Sequence, residues 1–289
     1  MTDRLPKTLF VYKRAGMDTA EIRGRQIAKE LECDSVSLPE FSAALAAKYD
    51  VVIYVKRIPD SDIMGAVKTA RVKQVMDVLD NYSERTTKRA AGFVDAFIGA
   101  NLTQSVYLQL TYGVTAIEIP HHHCNFENLR NPKRTGRPVI GFISTPDHWP
   151  QNLRLAKKTG YEVVSNISRK GAGGFDELIK TYLATDIGFT YRMDRDKLRF
   201  NCANKLTNFM SFGIPSVLTP ESGYLEYGRH GETVLYAYTP DDFVRMLKWL
   251  GEDVALRASM GDACYEAAAP FHIARIAERY RNFLSSLQS

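Results

Sequence analysis

A chain of 289 residues is long enough to split into two hydrophobic cores at the usual domain size. Its composition, 45% apolar and 25% charged, excludes wholesale disorder, collagen-like repeats and low-complexity arrays. The net charge of +5 is divided almost evenly between the halves, so it suits an anionic small ligand at least as well as a nucleic acid, whose binders usually concentrate charge in one stripe.

Cys33, Cys124, Cys202 and Cys264 lie far apart with no CxxC spacing, which argues against a zinc knuckle or a disulfide framework and for a reducing, cytoplasmic setting. The longest uncharged run, between Asp95 and Glu118, contains Asn101, Thr103, Gln104, Ser105 and Gln109 and is too polar to span a bilayer. The opening MTDRLPK leads into a short strand-like run and lacks the long apolar stretch of a signal peptide.

Along the chain, KTLFVY (Lys7 to Tyr12) reads as a strand, followed by a loop at Gly16 and a helix from Thr19 to Leu31. CDSVSL from Cys33, DVVIYV from Asp50, VMDVL from Val75 and AFIGAN from Ala96 are further strand candidates with helix-like segments between them. Short apolar strands alternating with helices indicate a parallel sheet covered on both faces. TYGVTAIEIP (Thr111 to Pro120) closes this half, and the polar, proline-bearing HHHCNFENLRNPKRTGRP reads as a linker. The pattern restarts at VIGFIS after Pro138, with a helix near Asn152 to Thr159, a strand YEVV, a helix from Phe175 and a strand around Asp186 to Thr190.

Residues 203–232, ANKLTNFMSFGIPSVLTPESGYLEYGRHGE, read as a helix from about Asn204 to Phe212, a stop at Gly213, a strand SVLT and a loop PESGYLEYG. In a doubly wound sheet the loop beyond a strand's carboxyl end faces the ligand crevice, and a helix N-terminus offers free N–H groups to anions. Asn204, Lys205, Glu221, Ser222, Gly223 and Glu226 therefore border one candidate site. Further on, Thr239 can cap a helix that opens with Pro240, Asp241 and Asp242; Phe243, Val244, Leu247 and Leu250 form its apolar stripe, and Gly251 is placed to stop it. A last helix, HIARIAERYRNFL, presents Ile273, Ile276, Ala277, Tyr280 and Phe283 on one face. Neither GxGxxG nor GxxxxGK[ST] occurs, so the usual dinucleotide and P-loop fingerprints are absent.

The series NKLTNFMSFGIPSVLT, ESGYLEYGRHGE, TPDDFVRMLKWL and RIAERY, covering roughly Ala203 to Tyr280, resembles the C-terminal domain of GT-B glycosyltransferases of retaining family 4. A weaker echo is VDAFIGANLTQSVYLQLTYGVTAIEIPHHH, which is similar to the family's passage into its interdomain linker, with His121 and His122 where Asn-Gly is usual. The resemblance implies an α/β protein of two Rossmann-like domains facing across a cleft, the N-terminal one compact. It places the acceptor side at 1–130 and the donor side at 131–289, with the last helix, 271–286, packing at or across the boundary. It further implies transfer of a sugar from a nucleotide-diphosphate sugar to an acceptor glycan, lipid-linked sugar or small molecule, with retention. No cofactor, no metal, no nucleic acid and no transmembrane segment are implied, and the compartment is the cytoplasm, including its membrane periphery.

On that resemblance Asn204, Lys205, Glu221, Ser222, Gly223, Tyr224 and Glu226 would contact the donor, Lys205 at phosphate and Glu226 at ribose. The family's Glu-x7-Glu motif falls on Phe200 and Asn208, so one expected ribose carboxylate is missing. FISTPDHWPQNLRLAKK offers no clear match to the family's diphosphate-binding Arg and Lys, which leaves Arg169 and Lys170 as substitutes. Gly16, His121 and His122 are candidates on the acceptor or cleft side. Three successive imidazoles, His121, His122 and His123, point in different directions and make a poor metal chelate. Asp60, Asp62, Asp77 and Asp80 lie near strand ends, where a base could sit, although capping and turn roles are commoner there. No catalytic residue is assigned. Two other readings remain open: a nucleotide-sugar epimerase of the same fold, and a non-catalytic nucleotide-binding module.

Overall fold

The computed structural model describes residues 5–16, 19–80, 83–132, 135–167, 174–192 and 199–287. The chain forms two compact units: Met1–His121 with Lys197–Cys202 and Ile273–Ser289, and His122–Asp196 with Ala203–His272. The division falls between His121 and His122 rather than at residue 130, and the C-terminal helix joins the first unit.

In the first unit, β1 (Thr8–Tyr12), β2 (Asp34–Ser37), β3 (Val51–Val55), β4 (Lys73–Val78), β5 (Ala96–Gly99) and β6 (Thr115–Glu118) form a parallel sheet in the order β2-β1-β3-β4-β5-β6. Every residue of β1 and β3 is buried, as expected of continuous apolar runs covered on both faces. One face carries a wide-wound helix over Ala20–Gln26 that continues as α1 (Ile27–Glu30). The C-terminal helix α12 (Ile273–Ser286) packs on that same face through Ile276, Ala277, Tyr280, Phe283 and Leu284. The other face is covered by α2 (Ala43–Ala46), α3 (Ser61–Thr69), α4 (Glu84–Ala91) and α5 (Leu102–Tyr112), which contribute Ala46, Met64, Val67, Ala90 and Leu108 to a second core.

A buried polar network fastens α12 to the sheet. Arg23 donates from Nε and Nη2 to both carboxylate oxygens of Asp77, at 2.8 and 2.9 Å, and from Nη1 to the carbonyls of Ile119 and Pro120. Tyr280 Oη donates to Asp77 at 2.8 Å, and all three side chains are wholly buried. Burial disfavours the Arg23 charge, but the Asp77 carboxylate outweighs it and holds the guanidinium protonated. Asp77 is therefore a scaffold residue, and Asp60 is the N-terminal flank of α3.

In the second unit, β7 (Val139–Ser144), β8 (Glu162–Ile167), β9 (Ile187–Thr190), β10 (Ser216–Leu218) and β11 (Val234–Tyr236) are parallel in the order β11-β10-β9-β7-β8. They are joined by α6 (Trp149–Lys157), α7 (Gly174–Leu183), α8 (Asn204–Ser211) and α9 (Ser222–Tyr227), and α10 (Pro240–Glu252) and α11 (Val254–Ala267) follow β11. Thr239 Oγ1 accepts from the Asp242 N–H, as its capping sequence implies, and Phe243, Leu247 and Leu250 enter the core. Gly213 follows α8 at a φ of 70°, which a side chain would strain.

Two local expectations are corrected. PESGYLEYG is not a loop, because Ser222–Tyr227 winds into α9 and buries Tyr224 in the core. Gly251 does not stop α10, which continues to Glu252; a Cβ there would collide with the Tyr161 ring, so the glycine serves a close approach.

The Arg23 network carries a quantitative expectation. Arg23→Leu should strand the Asp77 carboxylate in the core and cost about 3–5 kcal/mol in urea unfolding, whereas Arg25→Leu on the exposed side of the same helix should cost under about 1 kcal/mol. Equal, small losses for both would show that the buried pair does not hold the first unit together.

Candidate functional site

In the second sheet the chain leaves β7 in one direction and β9 in the other, so the carboxyl ends of these two strands border a topological switch point. The residues just past those ends are polar and tightly held. Beyond β9, the Arg192 N–H donates to Thr219 Oγ1 at 2.7 Å, and its guanidinium donates to Glu221 Oε2 at 2.8 Å and to Tyr224 Oη at 3.0 Å. The Arg192 and Glu221 side chains are only 7% and 2% exposed. Asn152 of α6 locks the neighbouring turn, accepting from the Tyr191 N–H at 2.6 Å and donating to the Tyr191 carbonyl at 2.9 Å.

At the carboxyl end of β7, Ser144 Oγ is enclosed without a hydrogen-bond partner among the described residues. A few residues on, His148 is half-buried, and burial pushes its pKa below the ordinary imidazole value, with the positive charges of Arg192 and Lys205 adding to the depression and Asp147 opposing it. Burial and the two cations thus favour the neutral form of His148. The charges of Arg192, past β9 and paired with Glu221, and of Lys205, in the first turn of α8, both act on His148, which places the three groups on the strand-end side of this sheet. Such a group can hold an anion and can donate or accept one proton through the imidazole.

Of the expected donor residues, Glu221 is buried in the pair with Arg192, Asn204 and Lys205 open α8 half-buried, and Ser222 and Gly223 begin α9. Tyr224 is fully buried and its hydroxyl accepts from Arg192, so it buttresses the guanidinium from within the core. Glu226 is half-buried on α9, further along the chain from the end of β10 than Glu221 is. Arg169 and Lys170 lie outside the described residues. Arg192 and His148 were missed because TYRMDRDK and TPDHWP look like solvated loop sequence. The available signal was position, since each follows a strand at its carboxyl end.

Asn208, where the family's second glutamate would stand, accepts from the Cys124 N–H at 2.8 Å and so ties the start of the second unit to α8. The Phe200 ring lies tilted against that of Tyr107 within the first unit, with centroids 4.7 Å apart. Both positions are committed to scaffold contacts.

The carboxyl ends of the first sheet carry their own polar group. Asp80, past β4 at a φ of 59°, accepts from Lys56 Nζ, past β3, at 2.6 Å and from Cys202 Sγ at 3.4 Å. Burial pushes the Asp80 pKa up, but Lys56, His121 and Cys202 together hold it below the ordinary value. Gln104 reaches the Asp80 carbonyl, and Asn101 caps α5 by accepting from the Gln104 N–H. Gly16 sits past β1 at a φ of 75° with its N–H directed at Glu21.

No protein-family model and no curated protein matches the chain. Solved structures do. Anabaena HepE in complex with UDP and glucose is similar over 97% of this chain and 100% of its own, at 13% identity and a TM-score of 0.72. A glycosyltransferase from Rickettsia africae matches over 98% of both chains at 12% identity and a TM-score of 0.70. Sucrose-phosphate synthase from Thermosynechococcus elongatus matches over 98% of this chain and 99% of its own at 11% identity and 0.70. The two parallel sheets and this likeness along the whole chain define a GT-B fold. No described helix is long and apolar enough to cross a membrane.

The histidine run straddles the division between the units. His122 is buried with its ring centroid 5.6 Å from that of Phe126, and its Nδ1 lies 3.0 Å from the His123 carbonyl. His123 is 2% exposed, its N–H donates to the Phe271 carbonyl, and its ring meets His272 edge-on at 5.6 Å. These rings serve the packing of the second unit. Burial lowers the His123 pKa to about 4, with His272 and His122 adding to the depression. The unfolded chain protonates this imidazole near its ordinary value, so between that value and about 4 the unfolded state binds more protons and stability falls as pH falls. In urea unfolding, the wild type should lose about 2 kcal/mol more than His123→Gln between pH 7.5 and pH 5. Parallel losses in the two proteins would contradict it.

Proposed function

We propose that this chain is a glycosyltransferase that binds a nucleotide-diphosphate sugar on its second unit and transfers the sugar to an acceptor, with retention and without a required metal. The observation that carries the proposal is the convergence of Arg192, Lys205 and His148 at the strand switch point. Negative charge accumulates on the departing diphosphate as the glycosidic bond breaks, and cations already fixed in place stabilise it without reorganisation. In this reading Lys205 contacts phosphate directly. Arg192, held rigid by Glu221, Thr219 and Tyr224, takes the second cationic role in place of Arg169 or Lys170. Glu226 accepts from the ribose hydroxyls.

Support comes from HepE, which has been solved with UDP and with UDP-glucose, and whose fold this chain shares from end to end. UDP, the nucleotide bound by HepE, is the natural first probe. The acceptor, in the same proposal, is a glycan, a lipid-linked sugar or a small molecule met by the first unit, where Lys56, Asp80 and His121 offer charge and hydrogen bonds at the sheet's carboxyl ends. The compartment we assign is the cytoplasm.

Calorimetry of UDP and uridine binding in EDTA tests the donor assignment. Lys205→Ala should lose about 1.5–3 kcal/mol for UDP and little for uridine, because a charge-assisted hydrogen bond to phosphate is removed. Glu226→Gln should weaken both ligands about equally, since both carry the ribose. Unchanged UDP binding by Lys205→Ala would overturn the phosphate assignment, and wild-type binding that appears only when magnesium replaces EDTA would overturn metal independence.

A further inference from the structure

Helix α10 has two distinct faces. Phe243, Leu247 and Leu250 enter the core of the second unit, while Asp241, Arg245, Lys248, Trp249 and Glu252 fall on the opposite side and are exposed. Gly251 sets the pose of the last turn, because its missing Cβ lets the Tyr161 ring close on the helix and the Tyr161 hydroxyl reach the Lys248 carbonyl at 3.4 Å. Between the exposed face of α10 and Lys158, just past α6, lies an open groove of about 480 Å³, a volume that suits a small ligand.

The lining of this groove is chemically selective. Trp249 is 49% exposed, although a tryptophan in a folded protein ordinarily covers most of its ring, and Val244 adds aliphatic surface beside it. Lys158, Lys248, Asp241 and Glu252 make no ion pair among the described residues, even though Lys248 and Glu252 stand one helical turn apart; Arg245 is taken by Asp242 at 2.6 Å. Two unpaired cations and two unpaired carboxylates cancel, so the groove has no net field with which to gather a phosphate or a polyanion. It offers hydrogen-bond donors and acceptors around one flat apolar ring. A pyranose fits that pattern, with C–H bonds on its face to lie against the indole and hydroxyls on its rim to meet both kinds of charged group. An apolar helix of a partner protein would leave those four charges covered and unpaired, which is costly. From Asp241 to Glu252 the face runs about 16 Å along the axis, enough for several linked rings.

We propose that the groove between α10 and Lys158 binds a neutral oligosaccharide. Trp249 stacks on one pyranose ring, and Lys158, Lys248, Asp241 and Glu252 take the hydroxyls of that ring and its neighbours. None of the groups at the strand switch point lines the groove, so the proposal does not rest on the donor reading.

Fluorescence titration of the full chain with maltoheptaose, cellohexaose and laminarihexaose tests it, with dextran sulfate as the anionic control, because Trp249 is one of only two tryptophans. At least one of the neutral oligosaccharides should move the emission to shorter wavelength and saturate, and saturating UDP should not displace it. In calorimetry Trp249→Ala should bind that oligosaccharide about tenfold more weakly or worse. Trp249→Phe should lose the emission change but keep affinity within about threefold, since a ring remains to stack on. Both variants should melt as the wild type does, because the side chain lies outside the core. Lys158→Ala with Glu252→Ala is the independent second variant and should weaken binding about tenfold through lost hydrogen bonds. Binding by none of the three oligosaccharides would overturn the proposal, as would wild-type affinity in Trp249→Ala or in the double variant. Binding of dextran sulfate alone, weakened by salt, would overturn it in favour of an anion site. Displacement by UDP would overturn it by moving the saccharide to the strand switch point.

Discussion

A purely parallel sheet has to be covered on both faces, and in this chain that single constraint decides where polar chemistry can sit. β1 and β3 are wholly buried, and so are β9, β10 and β11, leaving no room for a ligand on either sheet face. Charged groups collect past the carboxyl ends of the strands instead: Lys56 and Asp80 in the first unit, and Arg192 with Glu221 in the second. The crossovers that bury the faces are the same connections that aim these side chains at the sheet edge.

Each unit then uses one buried guanidinium–carboxylate pair, to different ends. Arg23 and Asp77 are wholly enclosed and spend their remaining hydrogen-bonding capacity on Tyr280 and two carbonyls, which fastens the terminal helix. Arg192 and Glu221 lie at the strand ends, where the field of Arg192 reaches His148 together with that of Lys205. The first pair is a structural lock. The second holds the Arg192 guanidinium in one orientation at the strand ends, which in the proposed function spares an arriving diphosphate the cost of reorganisation.

Much of this was legible in the sequence because buried parallel strands are continuous apolar runs: KTLFVY, DVVIYV and VIGFIS each announced a strand, and TPDD announced the cap of α10. The misreadings have physical causes. Proline and glycine punctuation made PESGYLEYG look like a loop, although Tyr224 anchors it as a helix. Gly251 resembled a helix stop, but its missing side chain makes room for Tyr161. α11 has weak amphipathic patterning and buries Arg257, which donates to the carbonyls of Leu250 and Gly251, so apolar periodicity did not reveal it. The places of Lys205 at a helix start and of Glu221 past a strand end were legible from the sequence. Arg192 and His148 were not, because their burial and mutual charge come from chain segments far apart in sequence.

The central claim is that the strand-switch edge of the second unit is an anion site shaped for a nucleotide diphosphate. A crystal structure of the chain with UDP tests it most directly. The account predicts diphosphate oxygens within hydrogen-bond distance of Lys205 Nζ, near His148 and Arg192, with the ribose towards Glu226. A diphosphate bound at Lys56 of the first unit, or anywhere away from Lys205, would contradict it.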